Sequence, residues 1–289
     1  MDCQRRWENM EFDCLVSIFS LLRLDDLTAS IPFVCKSWSQ AASDPACWRT
    51  LDFRPLDLKP SSTFAKRLAS QYSVPRYTFS GFLKLAMALS RGAAFELCFS
   101  PLFPASMEVL ARACADCPRL RVLGLPRIGS DDEGRFLGML GKWNELERLE
   151  MESKPSRLPE MVKEIGLRCS RFQGLKVRGW IKNEDVAAIL DFLPNLQSLD
   201  LSGCRVEKAQ LLRVTDGCQE LKLLSLKDCF GLEVDEEVKR GACGIEVFNH
   251  EGCRLEDNDS GSAVSLDDDE LEQMMMMVDG FDCLEMWMF

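Results

Sequence analysis

A short apolar motif returns at a nearly constant interval through most of this chain. The motif reads apolar-x-x-apolar-x-apolar, as in Leu120-Leu123-Leu125, and several copies are followed by x-x-Cys. Its copies begin at residues 48, 94, 120, 146, 172, 196, 221 and 245, so the steps are 46, 26, 26, 26, 24, 25 and 24. Such a period predicts a stacked array of strand–helix units, because one unit cannot bury its apolar face alone.

The segments between the motifs carry helical signals. Ser106, Asn183 and Glu207 each open a stretch with apolar spacing of three or four residues, near a capping or acidic side chain. The long step of 46 leaves room for two helical pieces, near residues 62–72 and 80–90. We therefore expect strands and helices to alternate, with one irregular repeat at the start.

The region before the array shows helical spacing instead. Its first apolar stripe recurs at steps of three and four, which places the side chains on one face of a helix. Asp25 and Asp26 then offer an N-cap for a second helix that carries Leu27 and Ile31. The first stripe consists of Phe12, Leu15, Ile18, Phe19 and Leu22.

A proline and a polar stop divide the rest of this region. Pro32 interrupts or bends the second helix, because proline lacks an amide donor and crowds the preceding turn. A region this small rarely buries at least ten large apolar side chains by itself. It therefore either packs on its own chain or docks on another protein. A third stripe of Phe33, Val34, Trp38 and Ala41 ends at Ser43-Asp44-Pro45.

In this order and register, the region resembles an F-box. The family usually opens with Leu-Pro, where this chain has Met10-Glu11, so the rigid proline turn is missing. The resemblance implies a Skp1-type adaptor as partner and, through it, a cullin-RING ubiquitin ligase. The residues that carry it are Leu15, Ile18-Phe19, Leu22, Asp26-Leu27, Val34-Cys35, Trp38, Ala42, Asp44-Pro45 and Trp48.

The F-box resemblance also implies which side chains serve the adaptor contact. Ile18 and Leu22 are favoured for direct contact, and the set as a whole combines packing inside the domain with docking outside it. The expected adaptor-binding residues are Met10, Leu15, Ile18, Phe19, Leu22, Leu27, Val34 and Trp38.

The period and motif of the array resemble leucine-rich repeats, and the whole is similar to the short plant F-box/LRR proteins. The expected fold is α/β: a three-helix F-box over residues 7–53, then a short solenoid over 54–253 with a curved parallel sheet and outer helices. Side chains between the buried strand positions then face solvent on the concave side. This set is mixed in charge and lacks a basic cluster for phosphate, so the expected target is a neutral polar or unmodified protein surface. The expected substrate-binding residues are Arg148, Glu150, Lys176, Arg178, Asp200, Ser225 and Lys227.

The sequence offers little for catalysis or metal binding. Cys114 and Cys117 form a CxxC, but a zinc site needs four ligands, and the chain has one histidine, His250, and no second CxxC. We expect His250 to lie in a terminal repeat that is wetter than its neighbours. No P-loop or GxGxxG follows a strand. The expectation is a protein without catalytic activity, cofactor or metal, in which Cys117, Cys169, Cys204, Cys218, Cys229, Cys243 and Cys253 are structural repeat positions.

The net charge of −11 belongs to one end of the chain. Residues 254–289 hold one basic and eleven acidic residues, so residues 1–253 hold 34 basic against 35 acidic ones. A neutral body gives no reason to expect nucleic acid. No apolar run is long enough to span a membrane, and the N-terminus has no secretory h-region, so we expect the cytoplasm or the nucleus. Residues 254–289 are expected to be a disordered acidic tail, whose last nine residues dock or bind a partner.

Two functions remain open from the sequence. The first, which the resemblance implies, is a substrate-recognition subunit of an SCF-type (Skp1–cullin–F-box) ubiquitin ligase, with the adaptor on the F-box and an unidentified protein substrate on the repeats. The second is an LRR interaction scaffold independent of ubiquitin ligases, whose N-terminal helices only cap the solenoid. Co-purification with a Skp1-type adaptor separates the two.

Overall fold

A computed structural model describes residue 7, residues 10–103 and residues 106–255. These residues form two compact units, each described by itself below. The first holds the described residues up to Ser100 together with Ala115–Arg119, and the second holds those of Pro101–Cys114 and from Leu120 onward. The expected acidic tail lies outside the described residues, apart from Arg254 and Leu255.

The first unit contains five helices and a pair of short strands. The strands are parallel, with Thr50 opposite Glu96 and Leu51 opposite Leu97. Two 3-10 turns, Ile31–Phe33 and Pro45–Trp48, separate the early elements. The elements are α1 (Phe12–Phe19), α2 (Leu24–Ala29), α3 (Lys36–Ala42), β1 (Thr50–Asp52), α4 (Thr63–Gln71), α5 (Phe79–Ser90) and β2 (Glu96–Cys98).

Helix α2 begins earlier than its acidic residues predict. Its N-cap is Arg23, and no side chain caps it, so the prediction that Asp25 or Asp26 is the N-cap is wrong. Both aspartates lie inside the first turn, where a carboxylate stabilises the positive end of the helix dipole. Pro32 lies in the 3-10 turn after α2, as its missing amide donor predicts.

The core of the first unit joins the N-terminal helices to the elements that follow them. Trp48 is fully buried, and its Nε1 donates a hydrogen bond to the carbonyl of Ala42 at 2.7 Å. Tyr72 at the end of α4 donates its hydroxyl proton to the carbonyl of Thr28 in α2 at 3.1 Å. Helix α4 therefore completes the packing of α2, and the compact unit extends well beyond residue 53.

The second unit alternates strand and helix. Helix α6 (Met107–Asp116) has most of its residues in this unit. The remaining elements are β3 (Val122–Leu125), α7 (Glu133–Leu140), β4 (Arg148–Met151), α8 (Leu158–Arg168), β5 (Gly174–Val177), α9 (Asn183–Phe192), β6 (Ser198–Asp200), α10 (Lys208–Gly217), β7 (Leu223–Ser225), α11 (Glu236–Gly241) and β8 (Val247–Asn249).

The middle residue of each apolar motif sets the register of this parallel sheet. Leu123 pairs with Leu149, and the series continues through Leu175, Leu199 and Leu224 to Phe248. The five leucines of this row are buried, and strands β3 to β8 lie in sequence order. The α/β fold of parallel strands and intervening helices is therefore confirmed, as are the two helices expected within the step of 46, α4 and α5.

The last repeat is wetter than the others. Ile245, Phe248 and His250 are half-buried, and Val247 is exposed, whereas the corresponding positions of β7 are buried apart from Leu223. The His250 ring lies 4.9 Å from the Phe248 ring, centroid to centroid. This placement agrees with the expectation of a solvated terminal repeat.

Three cysteines that each follow a strand donate hydrogen bonds to backbone carbonyls. The Cys204 thiol donates to the carbonyl of Val177 at 3.1 Å, and the Cys229 thiol donates to that of Leu201 at 3.1 Å. Cys253 donates in the same way to Leu226 at 3.0 Å. Each thiol thus satisfies a carbonyl of the preceding repeat, and all the cysteines in the described ranges are free.

Among the helices of the described ranges, none has the length and apolar character needed to cross a bilayer.

Candidate protein-interaction surfaces

Three of the expected adaptor-binding residues lie in the interior of the first unit. Leu15, Phe19 and Leu27 are no more than 2% exposed. A partner cannot reach side chains buried to this degree without unfolding the unit. Their role in this structure is to hold α1 and α2 in place, which is the packing part of what the resemblance implies for this set.

The other five expected residues reach the surface to different extents. Ile18 on α1 is 39% exposed, and Val34 after the 3-10 turn is 58% exposed. Met10, Leu22 and Trp38 are half-buried. Met10 stands where the F-box family usually has Leu. Direct contact with an adaptor stays a prediction, and Ile18 and Val34 are the members of the set that are best placed for it.

Three more large apolar side chains between residues 12 and 34 are exposed. Phe12 and Phe33 lie on the expected helical stripes and are exposed, and Leu21 is 85% exposed. Phe33 lies in the 3-10 turn created by Pro32, where helical spacing no longer defines a face. We call the exposed residues of this region the apolar F-box set, which consists of Phe12, Ile18, Leu21, Phe33 and Val34.

Trp38 links this exposed set to the interior. Its ring makes an edge contact with Phe19, with the two centroids 5.2 Å apart. The Nε1 proton is shielded from solvent and has no acceptor within the described part of the chain. An unsatisfied buried donor costs about 1–3 kcal/mol, so the position of Trp38 is stabilised by packing rather than by hydrogen bonding.

The second candidate surface is the sheet face formed between the buried strand positions of the second unit. Arg148 is exposed and lies 4.0 Å from the half-buried Glu150 on its own strand. Lys176 pairs with Glu152 of the preceding repeat, with Nζ and Oε1 3.2 Å apart. Expected cations on this face are thus partly neutralised by neighbouring carboxylates.

Two cations of the expected set have no ion-pair partner among the described residues. Arg178 and Lys227 are exposed and form no ion pair with any residue of the described ranges. They follow β5 and β7, at the end of the sheet face where the strands stop. These are the positions of the set with the greatest capacity to bind an acidic group.

Ser225 and Asp200 both make hydrogen-bond contacts with Ser202. Ser225 is 7% exposed, and its hydroxyl lies 2.9 Å from that of Ser202 on the neighbouring repeat. Asp200 is half-buried and accepts a hydrogen bond from the backbone N–H of Ser202 at 2.9 Å. Substrate binding by Ser225 stays a prediction, and little of its side chain is available for it.

Glycines shape this face in a way that the motif did not reveal. A Cβ at Gly174 would lie 3.1 Å from Cγ of Arg148, and one at Gly203 would lie 2.8 Å from Nε of Arg178. Each arginine side chain therefore lies across a glycine of the next repeat. A glycine at a solvent-facing position one period after an arginine is the signal that could have shown it.

A row of aromatic and arginine residues borders the same end of the sheet and was also missed. Trp180, Arg205, Phe230 and Arg254 pair successively as parallel bridges. The Arg205 guanidinium lies 5.3 Å from the centre of the Trp180 ring, which is a cation–π contact. Trp180 is 52% exposed, so this row adds a large apolar contact to the surface.

The CxxC pair consists of one half-buried and one fully buried cysteine. Burial raises the pKa of the half-buried Cys114, although Lys142 lowers it in part. Cys117 is fully buried. Within the described ranges, no group of three or more His, Cys, Asp or Glu side chains is arranged to hold a metal ion.

Known proteins resemble this chain at its N-terminus and over most of its length. The F-box-like family model matches residues 12–54. An F-box/LRR-repeat protein of Arabidopsis thaliana is 29% identical over 77% of this chain and 72% of its own length. The Arabidopsis F-box protein FBW2 is 25% identical over 82% of this chain and 72% of its own. The Arabidopsis F-box protein SKIP19 is 23% identical over 94% of this chain and 85% of its own length. The chain thus has an F-box-like domain at its N-terminus and homologues named F-box or F-box/LRR-repeat proteins over most of its length.

Proposed function

We propose that this protein is the substrate-recognition subunit of an SCF-type ubiquitin ligase. The match of residues 12–54 to the F-box-like family carries the proposal, because F-box domains generally bind Skp1-type adaptors. In this reading the adaptor binds the first unit, and the adaptor in turn links the chain to the cullin. An unidentified target protein binds the sheet face of the second unit.

The apolar F-box set supplies the chemistry for the adaptor contact. Interfaces have apolar centres in which a few large side chains dominate the binding energy. Ile18, Leu21 and Val34 leave apolar surface in water that would be removed on binding. The buried Leu15, Phe19 and Leu27 keep these side chains in position.

The sheet face supplies a mixed polar surface for the target. Its cations and carboxylates lie beside one another, as in Arg148–Glu150 and Lys176–Glu152, which favours specificity over broad attraction. The chain would then contribute proximity and no chemistry of its own, since tethering a target beside the ligase raises its effective concentration. Cytoplasm or nucleus is the compartment that this role implies.

The test is direct binding of the full chain to a purified Skp1-type adaptor. Ile18→Glu combined with Val34→Glu places two charges on the apolar F-box set without removing a buried side chain. We expect the Kd to rise at least about 100-fold, since burying an unpaired carboxylate is strongly unfavourable. Leu167→Glu is the matched control, because Leu167 is an exposed apolar residue on α8.

Circular dichroism and thermal unfolding establish that the double variant is folded. A folded double variant that binds the adaptor as tightly as the unsubstituted chain would refute the proposed contact. Absence of adaptor binding by the unsubstituted chain would leave the ligase-independent LRR scaffold as the better function. Ile18→Ala combined with Leu22→Ala provides a milder variant at the two positions that the resemblance favours.

A further inference from the structure

Two cysteines of the last two repeats lie side by side. Phe230 pairs with Arg254 as a parallel bridge, and the backbone N–H of Arg254 donates to the carbonyl of Cys229 at 2.9 Å. The preceding residues, Cys229 and Cys253, are therefore neighbours across the same ladder. Adjacent strands lie about 4.8 Å apart, which falls within the Cα separations that disulfides bridge.

The two thiols lie on the same side of this ladder. The Cys229 thiol donates to the carbonyl of Leu201 and the Cys253 thiol to that of Leu226, so both sulfurs point toward the preceding repeat. The neighbouring Cys229 lowers the pKa of Cys253 against the effect of burial, and the same pairing raises the pKa of Cys229. A thiolate is the form of cysteine that reacts with oxidants, and within the pair it is favoured at Cys253.

Access distinguishes Cys253 from the other cysteines of the same motif position. Cys253 lines an open cavity of about 730 Å³ at the end of the array, together with Val234, His250 and Arg254. Cys204 and Cys229 are fully buried. A small oxidant can therefore reach Cys253 from solvent, while Cys229 lies directly behind it.

We propose that Cys253 and Cys229 form a peroxide-sensitive modification site, in which Cys253 is oxidised first and Cys229 resolves it. The Cys253 thiolate attacks one oxygen of a hydroperoxide and breaks the O–O bond, giving a sulfenic acid and, with hydrogen peroxide and a proton, water. The Cys229 thiol then attacks this sulfur, a disulfide forms, and a second water leaves. Two thiols are oxidised and one peroxide is reduced.

The product would be a covalent tie between the last two repeats. The ladder already holds the two backbones in register, so forming the bond requires little movement. Reduction by a small thiol would restore both cysteines by exchange. This inference rests on the second unit alone and is independent of adaptor binding.

The experiment treats the full chain with hydrogen peroxide at one to five molar equivalents and near neutral pH. Free thiols are then alkylated, and peptides are compared by mass spectrometry with and without reduction. We expect the Cys229–Cys253 disulfide to be the main product. Cys253→Ser should abolish it, while Cys204→Ser, at the same position of an adjacent repeat, should leave it unchanged.

A second arm captures the first step. In a Cys229→Ser chain, the sulfenic acid cannot be resolved, so the trapping reagent dimedone should label Cys253. In the unsubstituted chain the same label should be transient, and this measurement needs no variant. Oxidation confined to the exposed Cys14 and Cys243 would overturn the proposal. So would a Cys229–Cys253 link that joins two chains, detected by mixing heavy and light protein.

Discussion

Asp185 and Lys154 form a buried ion pair between adjacent repeats, with Oδ2 and Nζ 3.0 Å apart. The Asp185 side chain is fully buried and that of Lys154 is 10% exposed. Asp185 also accepts a hydrogen bond from the backbone N–H of Lys182 at 2.7 Å, at the start of α9. One carboxylate therefore compensates a buried cation and holds the first turn of a helix.

Asp185→Ala should destabilise the protein by about 3–5 kcal/mol, because it leaves the Lys154 charge buried without a partner. Urea unfolding monitored by circular dichroism measures this loss. Glu184→Ala is the matched control, since its pair with Lys182 is exposed and such pairs contribute about 0–1 kcal/mol. Equal destabilisation by the two substitutions would contradict the assigned role of the buried pair.

Glu133 should make stability depend on pH in the acid range. Burial alone would raise the pKa of this carboxyl, but hydrogen bonds from Ser156 and from the backbone of Arg157 outweigh burial and hold the pKa below its usual value. A folded-state pKa below the unfolded value near 4.3 stabilises the fold above that pH. The stabilisation is lost as pH falls through the folded-state pKa.

Glu133→Gln should therefore destabilise the chain at pH 7, and the difference from the unsubstituted chain should shrink below about pH 4. Chemical unfolding at pH 7, 5 and 3.5 measures this trend. Asp191→Asn, at an exposed position on α9, is the matched control at each pH. A Glu133→Gln effect that stayed constant down to the lowest pH would show that the hydrogen bonds do not depend on ionisation.

The repeats were predictable from sequence because their spacing reports directly on the register. Leu149 and Leu175 occupy equivalent motif positions, and the structure pairs them across β4 and β5. Exposure in the F-box region was less predictable. The spacing of Phe12 and Ile18 indicates a helix, but it does not tell which neighbouring element covers each side of that helix.

The details of the sheet face depended on three-dimensional neighbours that spacing does not specify. Arg178 lies across Gly203 only because β5 and β6 are adjacent in the sheet. Ser225 is buried on this face, and its hydroxyl contacts that of Ser202, 23 residues earlier in the chain. Motif analysis placed Ser225 within a strand and Arg178 directly after one, while their individual roles came from side-chain contacts.

The buried cysteines should resist alkylation in the native protein. Burial raises the pKa of Cys204 to about 12 and that of Cys218 to about 11, so almost no thiolate exists at pH 8. Iodoacetamide at that pH should modify the exposed Cys14 and Cys243 and leave these two unmodified. Peptide mass spectrometry over a time course, with a urea-unfolded sample as control, measures the order. Early labelling of Cys204 would show that the repeat opens locally.

The open cations of the sheet face should contribute to target binding without requiring a phosphate. Arg148 and Lys176 are partly compensated by Glu150 and Glu152, which leaves Arg178 and Lys227 as the cations free to pair within the described ranges. Two separated cations do not make the cluster that a phosphorylated peptide requires. Proteins that co-purify with the full chain from a cell extract, with the proteasome blocked, should therefore be retained after phosphatase treatment.

Arg178→Ala combined with Lys227→Ala should reduce recovery of these proteins several-fold, since each exposed charge pair contributes about 0.2–1 kcal/mol. Quantitative mass spectrometry of the captured proteins measures the change. Arg171→Ala combined with Arg213→Ala is the matched control, because both arginines are exposed and lie outside the strands of the sheet face. Loss of target capture on phosphatase treatment, together with dependence on Arg148, Lys176 and Arg178 as a group, would instead indicate a phosphorylated target.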